Sequence, residues 1–599
     1  MNDIPRPEHP KPQFERKTWM NLNGLWDFEI DNGRSGTARG LAAEDARLSG
    51  SILVPFCPES RLSGVEHKDF MYGVWYQRKV VLTKEQLAGN VFLHFGAVDY
   101  EAHVYVNGEK AGRHRGGYTS FACDVTKLLR EGENTLTLNA LDDTRDPMIP
   151  RGKQCEKYYS QHCDYTRTTG IWQTVWLEFT PRDYIKTMRC DGDPAEGKIV
   201  LRLDLKGTAD LKVRALYGGR LMAEAERKAA HGQLLLTLEP AERHLWEPGA
   251  GRLYDLELTF GEDRVYSYCG LRSLELSGYK FLLNGKSVFQ RLILDQGFYP
   301  DGIYTAPDDK ELLADIRRSM DMGFNGARLH QKVFEERFLY HCDREGYMVW
   351  GEYPNWGLDH TDPLAIYSIL PEWLEEIERD RNHPAIVGWC PFNETWERNN
   401  RKQYDDLIRL VYRVTKAADP TRPAIDTSGN YHVETDIFDV HDYDQDPASF
   451  KAHYDTIIET GELYDRFQVM EKEAGLRPRH FRHYQEYGGE PAFLSEYGGI
   501  RWTKEMAEAG QEGGFTASDP AKKGSWGYGT DVQSAEEWKA RFKGLADAQL
   551  DNPCFLGLCY TQLTDVEQEQ NGLYTYDREA KFDPEWVKSV IGRKAAIED

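Results

Sequence analysis

Residues 382–396 read NHPAIVGWCPFNETW, an apolar run that opens after Pro384 and stops at two polar residues, Asn393 and Glu394. Seven similar runs, separated by amphipathic stretches, follow the same pattern after about residue 276. Such alternation predicts parallel βα units whose strands are buried on both faces. Eight units predict a (β/α)8 barrel with its active site at the C-terminal ends of the strands. The candidate strands span 288–294, 324–330, 347–353, 385–392, 423–429, 437–443, 492–497 and 556–563.

The N-terminal half carries a different pattern, with short alternating runs and frequent turns. VFLHFGAVDYEAHVYVNGEKAG (91–112) alternates apolar and polar residues and turns at Asn107-Gly108, a dipeptide typical of tight hairpins. We therefore predict a β-sandwich over residues 1–182, a smaller immunoglobulin-like sandwich over 183–276, and the barrel over 277–599.

Composition excludes several classes of protein. The net charge is -24, and the Lys and Arg residues are scattered, so nucleic acid is not an expected partner. The ten cysteines form no CxxC and no paired Cys/His spacing, which argues against a disulfide scaffold and a zinc site. No apolar stretch is long enough for a membrane span or a signal peptide. We expect a cytoplasmic protein, unless a signal peptide was removed.

A second glutamate lies at the end of another predicted strand. PAFLSEYGGI (491–500) carries Glu496 where the seventh run stops, and Glu394 follows the fourth run, so both are expected on the same rim. Two carboxylates on one rim suit glycoside hydrolysis, in which one protonates the departing oxygen and the other meets the anomeric centre. The alternative is that each is a structural rim salt bridge.

The surrounding sequence resembles family 2 glycoside hydrolases, which include β-galactosidases and β-glucuronidases. NHPAIVGWCPFNE resembles the family's asparagine-glutamate segment and SEYGG its nucleophile segment. The resemblance implies a jelly-roll sugar-binding sandwich at the N-terminus. It also implies a retaining mechanism, with Glu394 as general acid/base, Glu496 as nucleophile, and carboxyls about 5 to 5.5 Å apart. Further matching segments are NLNGLWDF (21–28), TGIWQTVWLE (169–178), GFNGARLH (323–330) and NGLYTYDRE (571–579).

The resemblance also assigns three substrate contacts. Asn393 would bind the sugar 2-hydroxyl, Tyr443 would hydrogen-bond the nucleophile, and Asp164 would hold sugar hydroxyls from the first sandwich. No cofactor or metal ion is expected. We expect a homo-oligomer, either a dimer or a tetramer. Position near the predicted rim adds further candidate substrate-binding residues: Arg328, His330, Glu352, Trp356, Trp502 and Tyr560.

One departure from the family bears on the sugar. Family glucuronidases carry an Asn-x-Lys that grips the sugar carboxylate, and Glu569 and Asn571 stand at those positions here. We therefore expect a neutral sugar, with β-galactoside first. The alternatives are a β-hexuronidase, using Arg337, Arg328 or Lys332 as its cation, or a furanosidase or pentosidase. From another class, a non-catalytic carbohydrate-binding protein stays open, and residues 509–530 are predicted to form a glycine-rich loop or lid.

Overall fold

The computed structural model describes residues 4–395, 398, 401–465, 485–503 and 525–598. The N-terminal strands pair in an antiparallel sheet of four strands, another of six, and a two-stranded ladder. Their inward side chains share one hydrophobic core, which includes Trp26, Leu93 and Val104. The strands are Trp19–Asn21, Gly24–Ile30, Gly50–Val54, Val74–Leu82, Asn90–Phe95, Val98–Asp99, Glu101–Val106, Glu109–Arg115, Phe121–Asp124, Gly132–Leu141, Gly170–Ile171 and Val175–Thr180.

The next unit is one five-stranded antiparallel sheet with a core of its own. Two of its strands are 20 and 19 residues long and pair as a hairpin with register shifts, where bulges bend them. Its strands are Tyr184–Asp193, Lys198–Tyr217, Arg220–Leu238, Tyr254–Phe260 and Asp263–Cys269. A small sheet of Leu274–Ser277, Lys280–Leu283 and Lys286–Ser287 leads into the barrel. The predicted boundaries at 182 and 276, like the immunoglobulin-like and jelly-roll assignments, stay predictions.

Seven of the eight predicted barrel strands form within two residues of their predicted bounds. Seven pair in parallel in the order fourth, third, second, first, eighth, seventh, sixth. The fifth predicted strand is joined to the fourth only by the isolated bridges Trp389↔Ala424 and Asn393↔Ser428. The seven, in chain order, are Gln290–Asp295, Gly326–Leu329, Met348–Glu352, Ile386–Cys390, Phe438–Asp442, Ala492–Gly498 and Phe555–Thr561. Every residue of these strands is buried, as expected when both faces are covered.

Helices alternate with the barrel strands. The Asp308 carboxylate and the Ser534 hydroxyl cap two of them by accepting from Glu311 N and Glu537 N. In the described residues no helix is long and apolar enough to cross a membrane. The α-helices of this part of the chain are α1 (Asp309–Asp321), α2 (Glu336–Glu345), α3 (Ile366–Asp380), α4 (Asp405–Ala418), α5 (Pro447–Thr460), α6 (Ala535–Leu550) and α7 (Pro584–Ile591); one-turn 3-10 helices span Arg61–Ser63, Pro363–Ala365 and Ala596–Glu598.

Candidate active site

Glu496 lies within the seventh barrel strand, two residues before its end, and is 3% exposed. The Tyr443 hydroxyl donates to its Oε2 at 2.6 Å, and Arg328 donates to its Oε1 at 3.1 Å. Burial alone would raise the pKa of Glu496, but His441, His330, Arg328 and the Tyr443 hydrogen bond lower it to about 2. Glu496 is therefore ionised at neutral pH, as a nucleophile must be.

His441 connects Glu496 to Glu394. A register shift between the sixth and seventh strands sets His441 beside Glu496. Its Nδ1 lies 2.8 Å from Glu394 Oε1 and 3.5 Å from Glu496 Oε2. Burial opposes a charge on the ring, but Glu496 and Glu394 raise the pKa of His441 above its ordinary value. Gly429 makes room for the ring, because a Cβ there would come within 2.2 Å of the imidazole.

Glu394 follows the fourth strand in an uncommon backbone conformation. Its φ is +48°, in the left-handed region that residues other than glycine seldom adopt, and its N–H donates to Ser428 O at 2.9 Å. Single ligand atoms of Glu394, His441 and Glu496 all lie within 4.8 Å of one another. We call these three residues the catalytic cluster. An oxygen of one carboxylate thus lies within 4.8 Å of an oxygen of the other, which fits the separation of about 5 to 5.5 Å typical of retaining enzymes.

Arg328 organises the floor beneath the cluster. Besides Glu496, it donates to Glu352 Oε2 at 2.7 Å and to Asn393 Oδ1 at 2.9 Å. His330 Nδ1 lies 2.8 Å from Glu352 Oε1. Burial alone would raise the pKa of Glu352, but Arg328 and His330 lower it to about 2. Arg328 and His330 thus keep Glu352 ionised, and Arg328 fixes the orientation of the Asn393 amide beneath the catalytic cluster.

Asn393 has its amide nitrogen free for a ligand. Arg328 fixes the amide oxygen, and in the described part of the chain the buried Nδ2 has no hydrogen-bond partner. A buried unpaired donor is costly unless something else satisfies it. Trp356 lies beside it and donates from Nε1 to Asn393 O at 3.2 Å. This geometry suits a donor to a sugar hydroxyl.

A loop of the N-terminal domain, residues 151–165, completes the site; we call it the wall loop. Arg151 N donates to Trp356 O at 2.7 Å on one side, and Gln568 Nε2 donates to Asp164 O at 3.0 Å on the other. The Asp164 carboxylate is partly exposed and accepts from Arg151 Nη1 at 3.0 Å. The loop is thus fixed to the barrel at both ends.

The wall loop also places Lys153 in the site. Its Nζ lies 3.8 Å from the centre of the Trp356 ring. Burial lowers the pKa of this ammonium, but Cys163, Glu569, Glu496 and Glu394 raise it above its ordinary value. Lys153 is therefore a buried cation on the face of Trp356, whose indole donates to Asn393 O, next to Glu394.

Two of the predicted binding residues do not reach the cluster. Tyr560 packs edge-on against Tyr497 and Phe542 of α6, between the barrel and its helices. Successive strand residues face opposite sides, so Thr561 takes the inward position, where its hydroxyl lies 3.1 Å from that of Tyr443. The structure thus places Thr561 beside Tyr443 and Tyr560 against Tyr497 and Phe542.

The second is Trp502, which packs against Phe582, with ring centres 6.3 Å apart. Its backbone N–H donates to Gln570 O at 3.2 Å. The predicted lid, 509–530, lies mostly outside the described residues; of those that are described, Tyr528 stacks on Tyr443 at 3.5 Å.

The cations predicted as alternatives for a uronate are all engaged elsewhere. Arg337 is paired with Asp309, and Arg328 holds the floor. Lys332 donates to the carbonyls of Gly297 and Tyr304. His441 and Lys153 are the site residues that sequence reasoning missed. His441 could have been found, because it lies two residues before Tyr443 and so shares its face.

A metal ion could be held only in place of substrate. Among the described residues, the catalytic cluster is the group whose ligand atoms come close enough for an ion. A cation there would occupy the space between the two carboxylates that hydrolysis needs. We assign the cluster no metal role.

Comparison with known proteins identifies the family of the chain. Residues 63–181 match the glycosyl hydrolases family 2 sugar binding domain, and 275–510 match the family 2 TIM barrel domain, together more than half of the chain. The β-glucuronidase of Rattus norvegicus is 29% identical over 457 residues, 67% of each chain. That of Sus scrofa is 27% identical over 544 residues, 81% of this chain and 78% of its own.

Solved structures show the same fold. An uncultured Clostridium sp. β-glucuronidase superposes with a TM-score of 0.75 at 21% identity, over 97% of this chain and 99% of that one. The Ruminococcus gnavus β-glucuronidase in complex with D-glucuronic acid gives 0.73 at 18% identity, with the same coverage. With a TIM barrel, a sugar-binding domain and both carboxylates on one rim, the chain belongs to glycoside hydrolase family 2.

Proposed function

We propose that the protein is a retaining exo-β-glycosidase that removes terminal β-linked hexuronic acids. The observation that carries the retaining mechanism is the spacing of the catalytic cluster, in which oxygens of Glu394 and Glu496 lie within 4.8 Å. The hexuronide assignment is supported by the β-glucuronidases among the relatives. It replaces our first expectation, a β-galactoside.

The chemistry follows from the two carboxylates. The ionised Glu496 attacks the anomeric carbon, and Glu394 gives its proton to the departing glycosidic oxygen as that bond breaks. The product of this step is a glycosyl ester on Glu496. Glu394 then takes a proton from water as the water oxygen attacks the same carbon, and the ester bond breaks to restore Glu496. Two inversions give net retention.

The neighbouring residues support these roles. Tyr443, Arg328 and His441 stabilise the charge of Glu496, and the free Asn393 amide is positioned for the sugar hydroxyl next to the anomeric carbon. Asp164 supplies acceptors for other hydroxyls. We also propose a homo-oligomer, from the family resemblance alone.

One assay tests both parts of the proposal. Nitrophenyl β-glucuronide, β-galacturonide, β-galactoside and β-galactofuranoside are compared by kcat/KM, and the first-formed sugar is identified by proton NMR. We expect a uronide to be preferred and the β-anomer to appear first. A preference for a neutral galactoside would overturn the hexuronide assignment, and an α-anomer would overturn the retaining mechanism.

A further inference from the structure

We infer that Lys153 is the residue that selects for a uronic acid, by binding the sugar carboxylate from the N-terminal domain. This inference rests on the proposed hexuronide function. It starts from an imbalance in the structure: Lys153 is 5% exposed, yet within the described residues its ammonium has neither a hydrogen bond nor an ion pair. In the described part of the chain its ammonium lies on the face of Trp356. A buried cation without an anionic partner is costly unless a ligand supplies one.

The position of the Lys153 ammonium suits the binding of an anionic group of a ligand. No carboxylate oxygen of the described chain comes within 4.0 Å of its Nζ, but the three carboxylates of Glu394, Glu496 and Glu569 are near enough to raise its pKa. The ammonium is therefore not neutralised by direct contact with a carboxylate. It lies on the ring of Trp356, whose Nε1 donates to Asn393 O beside Glu394, so a sugar with its anomeric carbon at the cluster would bring its far side towards Lys153.

The wall loop makes the placement rigid. Gly152 N donates to the carbonyls of Pro354 and Trp356, and Tyr165 N donates to Lys153 O at 2.7 Å. The indole of Trp356 is itself held by Asn393 O. The backbone of Lys153 and its ring partner Trp356 are thus both fixed. Preorganised groups lose little entropy on binding, so they discriminate well.

Glu569 does not prevent a uronate from binding. It is 1% exposed, and both of its oxygens are engaged, one by the Tyr165 hydroxyl and the other by Asn571 Nδ2 at 3.0 Å. Burial raises the pKa of Glu569, and Lys153 opposes that rise. The acidic residue is turned into the protein and bonded there. The family's lysine is absent at Asn571, and Lys153 supplies the positive charge from another part of the chain.

The experiment compares Lys153→Met with Lys157→Met, an exposed lysine on the same loop. For each we measure kcat/KM on nitrophenyl β-glucuronide, β-galacturonide and the corresponding neutral β-glucoside and β-galactoside, with the melting temperature as a check on folding. Competition by D-glucuronate and by D-glucose gives binding separately from turnover. Because Lys153→Met removes a buried charged partner, we expect its kcat/KM for the preferred uronide to fall by about 100-fold and its binding of D-glucuronate to weaken to match. Its kcat/KM for neutral sugars should change by less than about threefold. Lys157→Met should behave as wild type.

The outcomes separate the two proposals. If wild type prefers a uronide and Lys153→Met keeps that preference, the assignment of Lys153 is wrong while the hexuronide function stands. Equal losses on uronides and neutral sugars would also overturn it, because Lys153 would then act on the charges of the catalytic cluster. If wild type prefers a neutral sugar, the hexuronide function fails first, and the inference fails with it.

Discussion

Replacing His441 tests how the catalytic cluster keeps its nucleophile charged. Asparagine offers a neutral N–H near the position of Nδ1, whereas leucine offers none, so the pair separates charge from hydrogen bonding. Both variants remove the group that contributes most to lowering the pKa of Glu496. Hydrolysis requires ionised Glu496, and activity is lost as pH falls through that pKa. A higher pKa therefore moves the acid limb of kcat/KM to higher pH.

The magnitude follows from the distances. Unit charges 3.5 Å apart, as His441 and Glu496 are, interact by about 5 kcal/mol at an effective dielectric constant of about 20. Arg328, His330 and Tyr443 remain and offset part of the loss. The net effect should approach that of one charged hydrogen bond, about 1.5 to 3 kcal/mol. This corresponds to a fall in kcat/KM of about 10- to 150-fold.

The assay is a pH profile of kcat/KM on the best nitrophenyl glycoside for wild type and both variants. His441→Asn should show the raised acid limb with the smaller loss at neutral pH, and His441→Leu the larger loss. An acid limb that stays where it is in both variants, with kcat/KM within twofold of wild type, would refute the role of His441.

Three further predictions concern stability and inhibition. Arg328→Met leaves buried carboxylates unpaired and should lower the free energy of unfolding by about 3 to 5 kcal/mol. The matched removal of an exposed cation in Arg39→Met should lower it far less, and similar losses in the two variants would contradict the role of Arg328. Burial lowers the pKa of His432, but two aspartates raise it to about 9, so its contribution to stability is full below about pH 6.5 and is lost as pH rises through 9. The free energy of unfolding of a His432→Asn variant should therefore be about 3 kcal/mol lower than that of wild type at pH 6, and urea unfolding should show this difference disappearing by pH 10. A difference that grows with pH would contradict the role of His432. Added Zn²⁺ should inhibit by occupying the catalytic cluster, while EDTA should leave activity unchanged; loss of activity on chelation would show that an ion is needed.

The sequence predicted the barrel well because each strand is buried on both faces and so is marked by an apolar run. It predicted less well which way side chains point at a strand end. Tyr560 and Thr561 are neighbours that face opposite sides of the eighth strand, and the register of a strand cannot be determined without knowing which residue starts it.

Lys153 could not have been found in this way. Its place depends on contacts between a loop of one domain and two segments of another, and no local pattern encodes such contacts. His441 needed only the two-residue period, since Tyr443 had already been assigned to the rim.

The wall loop has a consequence for how this enzyme's preference could change. In the proposed mechanism the bond-breaking groups belong to the barrel, while Lys153 and Asp164, which we propose to contact the sugar, lie on a loop of the N-terminal β-domain. Substitutions, insertions or an exchange of the whole N-terminal module could therefore retune which sugar is accepted and leave the reaction itself untouched. Conversely, a barrel cut free of its partner would keep both glutamates and lose the means to choose among substrates.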